Sequence, residues 1–419
     1  MYLTIPRIEA REIEEAKSWL LVYGRRKTGK TFMVKKIYSR TRYYLITRGR
    51  NIVYRLSREL SIKEAVENIV RDLENNKIVI IDEFQRLPEE YWDIIASTHP
   101  KGKLIAVASS LSIIRKVFDR RSPLLGIMLP LRIGVANPLD PICALSKKLD
   151  PVEAIKWAMI IRDPWVIPHL DLEKNIVEEL LSKAGRIAEV AVGLVGEVFI
   201  EEERSLTATY NAILRAIACN QWNTSLIASK LASQRIIPDP NPSRITSYIR
   251  ILEDIGLIRS WRLYRSKNKY LRLTSSILQL SLCLDEKLGL TEIIIDEVGR
   301  ARLRETIKSF LGYELGFYIT ELLAVKYSLT PAYYMGKTTE INGILLDRHR
   351  KPVYVIEVKS RFFSKHDVGK LLSRAREVGA TPIAVGLKGV ENTGGIIPVT
   401  ARDIVSELKD YCSTKTRWL

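Results

Sequence analysis

The run Gly24-Arg25-Arg26-Lys27-Thr28-Gly29-Lys30-Thr31, set directly behind the apolar pattern Trp19–Tyr23, restricts this chain more than any other segment. It is GxxxxGK[ST] without deviation, and it calls for a strand, a tight loop and a helix in that order. Chemistry sets the spacing. Gly24 and Gly29 let the backbone curl so that the N–H groups of Arg25, Arg26, Lys27 and Thr28 point inward at phosphate oxygens. Lys30 reaches the β- and γ-phosphates, Thr31 ligates Mg²⁺, and the following helix offers its positive N-terminal end. ATP and Mg²⁺ are the expected cofactors; the alternative is a Gly/Lys-rich turn that matches by chance.

The second half of such a site is an apolar strand ending in an acid, and Lys77–Ile81 followed by Asp82-Glu83 supplies it. Four consecutive β-branched residues read as a strand covered on both faces of a parallel sheet. Asp82 is expected to hold Mg²⁺ and Glu83 to polarise the attacking water. The bland alternative is an acidic pair capping the next helix. A third strand, Lys103–Ala108, ends in Ser109-Ser110. Ser110 is the candidate sensor of the γ-phosphate, or else the N-cap of a helix over Leu111–Phe118. Arg120 and Arg121 behind it are surface residues or a transition-state cation offered to a neighbouring copy in a homo-oligomer.

Charge narrows the partners. The 419 residues carry a net +18, and the excess is local. Residues 25–58 hold twelve Lys or Arg and no acid, a stretch that tracks a nucleic-acid backbone or solvates helix faces. Residues 137–206, with Pro138, Pro141 and Pro151 and helical patterns at 152–161 and 173–195, are acidic, with thirteen acids to eight bases. Cys143, Cys219, Cys283 and Cys412 stand far apart without a CxxC pair, which argues against a disulfide framework and for a reducing compartment. No apolar run is long enough to span a bilayer, so a soluble cytoplasmic protein is expected.

Residues 207–280 read as a winged helix-turn-helix: helices over Thr207–Cys219, Asn223–Ala232 and from Pro242 to Ile255, with Gly256 as the stop. Two strand patterns, Ile258–Tyr264 and Tyr270–Leu273, form the wing. The segment holds eleven bases and three acids. Arg244 and Arg250 on the third helix, and Arg259, Arg262, Arg265, Lys267, Lys269 and Arg272 on the wing, are the expected DNA contacts. The alternative is a winged helix used for protein contacts.

Beyond residue 280, a helix at roughly 300–326 precedes strands Pro331–Met335, Ile341–Leu346 and Val353–Val358, a helix 367–378 and a strand Pro382–Gly386. Glu314 lies on the helix, Glu340 and Asn342 share one strand face, and Glu357 and Lys359 share another. Acid-x-Lys at a strand end opposite a second acid suits metal-dependent phosphodiester hydrolysis, although such triplets also occur on solvated strands.

From about residue 10 to 390 the chain resembles the archaeal AAA+-type ATPases with a C-terminal nuclease-like domain. VYGRRKTGKT, IIDEFQRLP, SSLSIIRKVFDRRSPLLG, YNAILRAIA…LEDIGLIRS and GYELG…EINGILLD…VIEVKS carry the likeness. The tail is similar to the PD-(D/E)XK nuclease superfamily, where an Asp on the second strand and E-x-K on the third bind metal. Here Asn342 stands at the Asp position, a poor Mg²⁺ ligand; Glu340 shares its strand face.

The resemblance implies an α/β protein with four units. These are an AAA+-like P-loop NTPase core with a parallel sheet (1–136), a helical lid (137–206), a winged helix-turn-helix (207–280) and an α/β restriction-endonuclease-like domain (281–419). It also implies ATP hydrolysis coupled to DNA. The tail is then either an ATP-licensed nuclease or a degenerate fold in an ATP-switched module.

Overall fold

The computed structural model describes residues 3–39, 41–49, 52–55, 58–202, 204–293, 296–335, 340–391 and 394–413. Arg40 and Arg50 of the basic stretch lie outside them. Arg55, Glu340 and Asn342 are placed by their backbone alone, and their side chains also lie outside.

Helix α1 (Glu9–Glu15) leads into β1 (Trp19–Tyr23), the phosphate loop and α2 (Lys30–Ile37). Next come β2 (Arg42–Ile46), β3 (Ile52–Arg55), β4 (Arg58–Ser61), α3 (Ile62–Glu74) and β5 (Ile78–Asp82). Helix α4 (Trp92–Ala96), β6 (Lys103–Ala108), α5 (Ile113–Val117) and β7 (Met128–Arg132) complete the first unit. The sheet order is β4-β3-β2-β5-β6-β1-β7, with five parallel strands from β2 to β7 and β3 and β4 added antiparallel. Period-2 alternation sends Leu20, Val22, Ile80, Ile105 and Val107 to the α1–α2 side. Leu21, Val79, Ile81, Leu104 and Ala106 face α3, α4 and α5. Both faces are covered, as a β-branched parallel strand requires.

Helices α6 (Asp140–Leu145), α7 (Pro151–Ile161) and α8 (Ile176–Glu201) follow. Three short helices come next: α9 (Ala208–Ala218), α10 (Thr224–Ser233) and α11 (Ser243–Asp254). Thr207 and Asn223 cap the first two, and Gly256, at φ +74°, ends the third. The hairpin β8 (Ile258–Leu263) and β9 (Lys269–Leu273) precedes α12 (Ser276–Leu288) and the long α13 (Glu297–Tyr327). The chain then forms β10 (Thr330–Met335), β11 (Glu340–Leu346), β12 (Pro352–Lys359), α14 (Lys365–Val378), β13 (Thr381–Gly386) and β14 (Ile397–Val399). It ends in α15 (Ala401–Glu407) and α16 (Lys409–Ser413). Among the described residues no helix is long and apolar enough to cross a membrane.

Three features depart from the sequence expectations. First, the hairpin does not project as a free wing. β8 pairs in parallel with β10, so the second sheet runs β14-β13-β12-β11-β10-β8-β9. One apolar cluster accordingly extends from Leu139 to Leu408, and the positions 207 and 281 are not gaps in packing.

Second, two of the basic positions expected on the hairpin surface are held in ion pairs, one buried and one half-buried. Arg272 is buried against Glu314 and stacks on Phe317 at 3.6 Å, and Arg259 donates both Nη atoms to Glu321 at 2.8 and 2.7 Å. Arg162, at the end of α7, grips the same Glu321 carboxylate at 2.8 and 2.9 Å. Burial alone would raise the Glu321 carboxyl, but the flanking Arg162 and Arg259 hold it well below its usual value.

Third, the four cysteines form two bridges, Cys143–Cys412 and Cys219–Cys283. Separations of 269 and 64 residues hid this; α16 packs against α6, and α12 against α9. The cysteines therefore no longer argue for a reducing compartment. Peptide mapping without reductant should return these two linked pairs. Reduction should lower the melting temperature, with each bridge contributing about 2–4 kcal/mol; free thiols in the untreated protein would contradict the pairing.

Candidate nucleotide site

The phosphate loop turns at two glycines, one kept free of a side chain by space and the other by backbone conformation. Gly24 sits at φ +154°, where a Cβ would come within 2.0 Å of the Ile133 carbonyl oxygen, and Gly29 sits at φ +91° as the N-cap of α2. Thr28 Oγ1 donates to Arg25 O at 3.0 Å, and Arg7 donates to Thr28 O and Gly134 O, both at 3.0 Å. A cavity of about 840 Å³ opens over the loop. Its polar end holds Arg26, Thr28, Lys30, Thr31, Glu83 and Ser109; its apolar part holds Ile5, Trp165 and Pro168.

Lys30 is buried, and among the described residues its ammonium donates to the carbonyls of Gly24 and Arg25, at 2.9 and 2.8 Å. Burial, with smaller contributions from Arg25 and Arg26, lowers it from 10.5 to about 7 against the pull of Glu83 and Asp82. A buried cation bonded to neutral oxygens alone is a site shaped for an anion. Thr31 Oγ1 lies 3.2 Å from Asp82 Oδ1, so the two oxygens expected around Mg²⁺ converge. Tyr43 donates to Asp82 Oδ2 at 2.5 Å, and burial and Asp82 together raise its phenol. An α/β site with a phosphate loop, a carboxylate and a hydroxyl at this spacing fits a Mg²⁺-nucleotide.

Glu83 follows Asp82 in a left-handed conformation, φ 58°, which for a non-glycine residue costs about 1–3 kcal/mol and gathers at functional sites. Its Oε1 has Ser109 Oγ at 3.4 Å. The hydroxyl that β6 presents to the cavity is therefore that of Ser109, not Ser110. Ser110 turns away to bond Ser112, because Glu202 fixes the backbone there by accepting from Leu111 N and Ser112 N.

The arginines of the loop also point elsewhere. Arg25 makes a buried pair with Asp163 at 2.5 Å, and Arg26 forms an ion pair with Glu197 at 2.9 Å and donates to Glu201 at 2.7 Å, both on α8. Lys27 takes φ 64° at the tip of the loop. Sequence reasoning missed Ser109, Tyr43, Gln85, Arg86, Asp163 and Glu201. Only Ser109, Gln85 and Arg86 carried a local signal, since they neighbour recognised motifs.

In the second sheet, Glu357 lies between Lys359 and Arg374, at 2.9 and 2.7 Å. Glu314 has other partners. It faces Arg272 on β9, four strands along the sheet from β12, and accepts from Ser276 Oγ at 2.6 Å. The β11–β12 ladder, last paired at Gly343 and Ile356, brings Glu340 and Asn342 to the end of the sheet where Glu357 lies. Among the described residues no group of three or more acids, histidines or cysteines converges as a metal site.

The Lys30 value sets a pH signature. Between about 7 and 10.5 the unfolded chain binds one more proton than the folded one, so stability without nucleotide rises with pH in that window. Lys30→Met should flatten the rise. At pH 8, Mg²⁺-ADP binding should take up close to one proton as phosphate restores the ammonium; calorimetry in buffers of different ionisation enthalpy measures it, and no uptake would contradict the buried, deprotonated lysine.

No curated protein matches the sequence. Loose structural likeness links the chain to a Walker-type ATPase of Pyrococcus abyssi, at 20% identity over 65% of this chain and 94% of that one, TM-score 0.46. It also extends to the ORC2 protein of Aeropyrum pernix in ADPNP–ADP complexes (15%, 72% and 93%, TM-score 0.39). The ORC1 protein of Aeropyrum pernix in complex with DNA follows (16%, 67% and 92%, TM-score 0.30). Residues 16–126 match the family model of the AAA domain. The first unit of this chain carries that likeness to the AAA domain.

Proposed function

We propose that the chain binds and hydrolyses ATP with Mg²⁺ and couples that cycle to DNA. The observation that carries the reading is Lys30, a buried ammonium with no carboxylate partner among the described residues, in the lining of a cavity of nucleotide size. In this reading Lys30 and the loop amides from Arg25 to Thr31 hold the phosphates, Thr31 and Asp82 hold the metal, and Glu83 with Ser109 orients the attacking water. Mg²⁺ would neutralise charge developing on the transferred phosphoryl group. Trp165, Ile5 and Pro168 would cover the base.

Three helices followed by a hairpin support a winged helix-turn-helix at 207–280 as the DNA element. Arg244, Arg250, Arg262, Arg265, Lys267 and Lys269 are exposed and form its proposed contact surface. Arg259 and Arg272 drop out because Glu321 and Glu314 already pair with them. The element order from α13 to β13 supports a nuclease-like C-terminal unit. Its Glu357, closed between two cations, favours a non-cleaving one.

Lys30→Ala should abolish ATP turnover by the purified full chain; unchanged turnover would sink the assignment. Binding to duplex DNA should weaken steeply with salt, and replacing Arg262, Arg265, Lys267 and Lys269 by Ala should reduce the salt slope by about one per lost phosphate contact. Plasmid incubated with Mg²⁺ or Mn²⁺ should stay intact; cutting that Glu357→Ala and Lys359→Ala abolish would restore the nuclease reading.

A further inference from the structure

Glu83 does not use its two carboxylate oxygens alike. Oε2 accepts from Gln85 Nε2 at 2.7 Å and faces Arg86 Nη2 at 3.2 Å, whereas Oε1, on the cavity side, has Ser109 Oγ at 3.4 Å. Gln85 and Arg86 are in turn fixed by a second carboxylate. Glu201, in the last turn of α8, accepts from Gln85 Nε2 at 3.0 Å, from Arg86 Nη2 at 2.9 Å and from Arg26 Nη1 at 2.7 Å. Both Gln85 Nε2 hydrogens are thus used, and the amide oxygen accepts from Ser109 N at 3.3 Å. Burial would raise the Glu201 carboxyl, but Gln85, Arg86 and Arg26 outweigh that and hold it below its ordinary value, so it stays an anion.

We propose that Glu201 is the positioning residue of the hydrolytic base: through Gln85 and Arg86 it anchors one oxygen of Glu83 and leaves the other aimed at water. The proposal rests on the ATPase reading. Its logic is that of a base oriented by a third group. Glu201 divides the Arg86 charge between two carboxylates. Without it, Arg86 collapses onto Glu83 alone, Gln85 is free to turn, and Oε1 loses its aim. Glu201 stands outside the AAA match at 16–126, at the junction of α8 with the DNA-binding half. Hydrolysis would therefore depend on how α8 is seated against the phosphate loop, to which Arg26 ties it.

The test uses the full chain. Glu201→Gln should lower kcat about tenfold to a hundredfold with KM for ATP and affinity for a fluorescent ADP nearly unchanged, as expected for a misaimed group rather than a lost binding contact. The double variant with Glu83→Gln should be no slower than Glu83→Gln alone, since both act on one oxygen pair. Without nucleotide, hydrogen exchange of the Arg86 and Leu87 amides should quicken in Glu201→Gln while α3 amides do not change.

Wild-type kcat in a folded Glu201→Gln, or additive losses in the double variant, would overturn the proposal. If Glu201→Gln does not fold, Gln85→Met severs the same link with both acids in place and must show the same kcat loss. An inert wild type, or a Lys30→Ala variant that turns over normally, would instead sink the ATPase reading.

Discussion

A phosphate loop concentrates positive charge in a space with little water, and how each cation is neutralised organises much of this molecule. Arg25, Arg26 and Lys30 lie within six residues of one another. Arg25 finds Asp163 and Arg26 finds Glu197 and Glu201, while Lys30 finds only carbonyl oxygens. Burying an unpaired charge is costly enough to shift its protonation, and Lys30 shows that shift. In the proposed reading Lys30 is the cation left for phosphate, and the arginines become ties to the helices that follow the first sheet.

Those ties give the helical segment a place at the reaction centre. Glu201 and Glu202 are adjacent, yet one holds Arg26, Gln85 and Arg86 while the other caps the backbone at Leu111 and Ser112. The end of α8 therefore touches the phosphate loop, the Asp82-Glu83 turn and the loop after β6. Arg162 and Asp163 divide their roles in a similar way. Asp163 meets Arg25, and Arg162 meets Glu321, which also holds Arg259 of β8. A chain of ion pairs, buried at the loop and half-buried at Arg259, runs from the nucleotide loop to the hairpin.

How much of this was legible follows from the range of each signal. The phosphate loop, the Asp82-Glu83 strand and the third strand were readable because backbone geometry and metal chemistry fix their spacing within a few residues. The three helices and the hairpin of 207–280 were readable from caps, Pro242 and Gly256. Reading charge as surface failed at Arg259 and Arg272, where strand alternation says which face a residue takes but not whether another sheet or helix covers it. The acidic character of 137–206 looked unrelated to the basic stretch at 25–58. It supplies the counter-charges of Arg25, Arg26 and Arg48.

The sequence by itself determined the chemistry of the site: glycines where the backbone must curl, a lysine and threonine for phosphate and metal, an Asp-Glu pair at a strand end. Each is a local requirement, met by residues close together in the chain. Only the tertiary structure decided which cations remain available, that Ser109 rather than Ser110 faces Glu83, that Glu314 answers Arg272 rather than Glu357, and that four distant cysteines pair. These outcomes depend on contacts between residues from 26 to 269 positions apart, and a contact made between separate elements leaves no period or spacing to read.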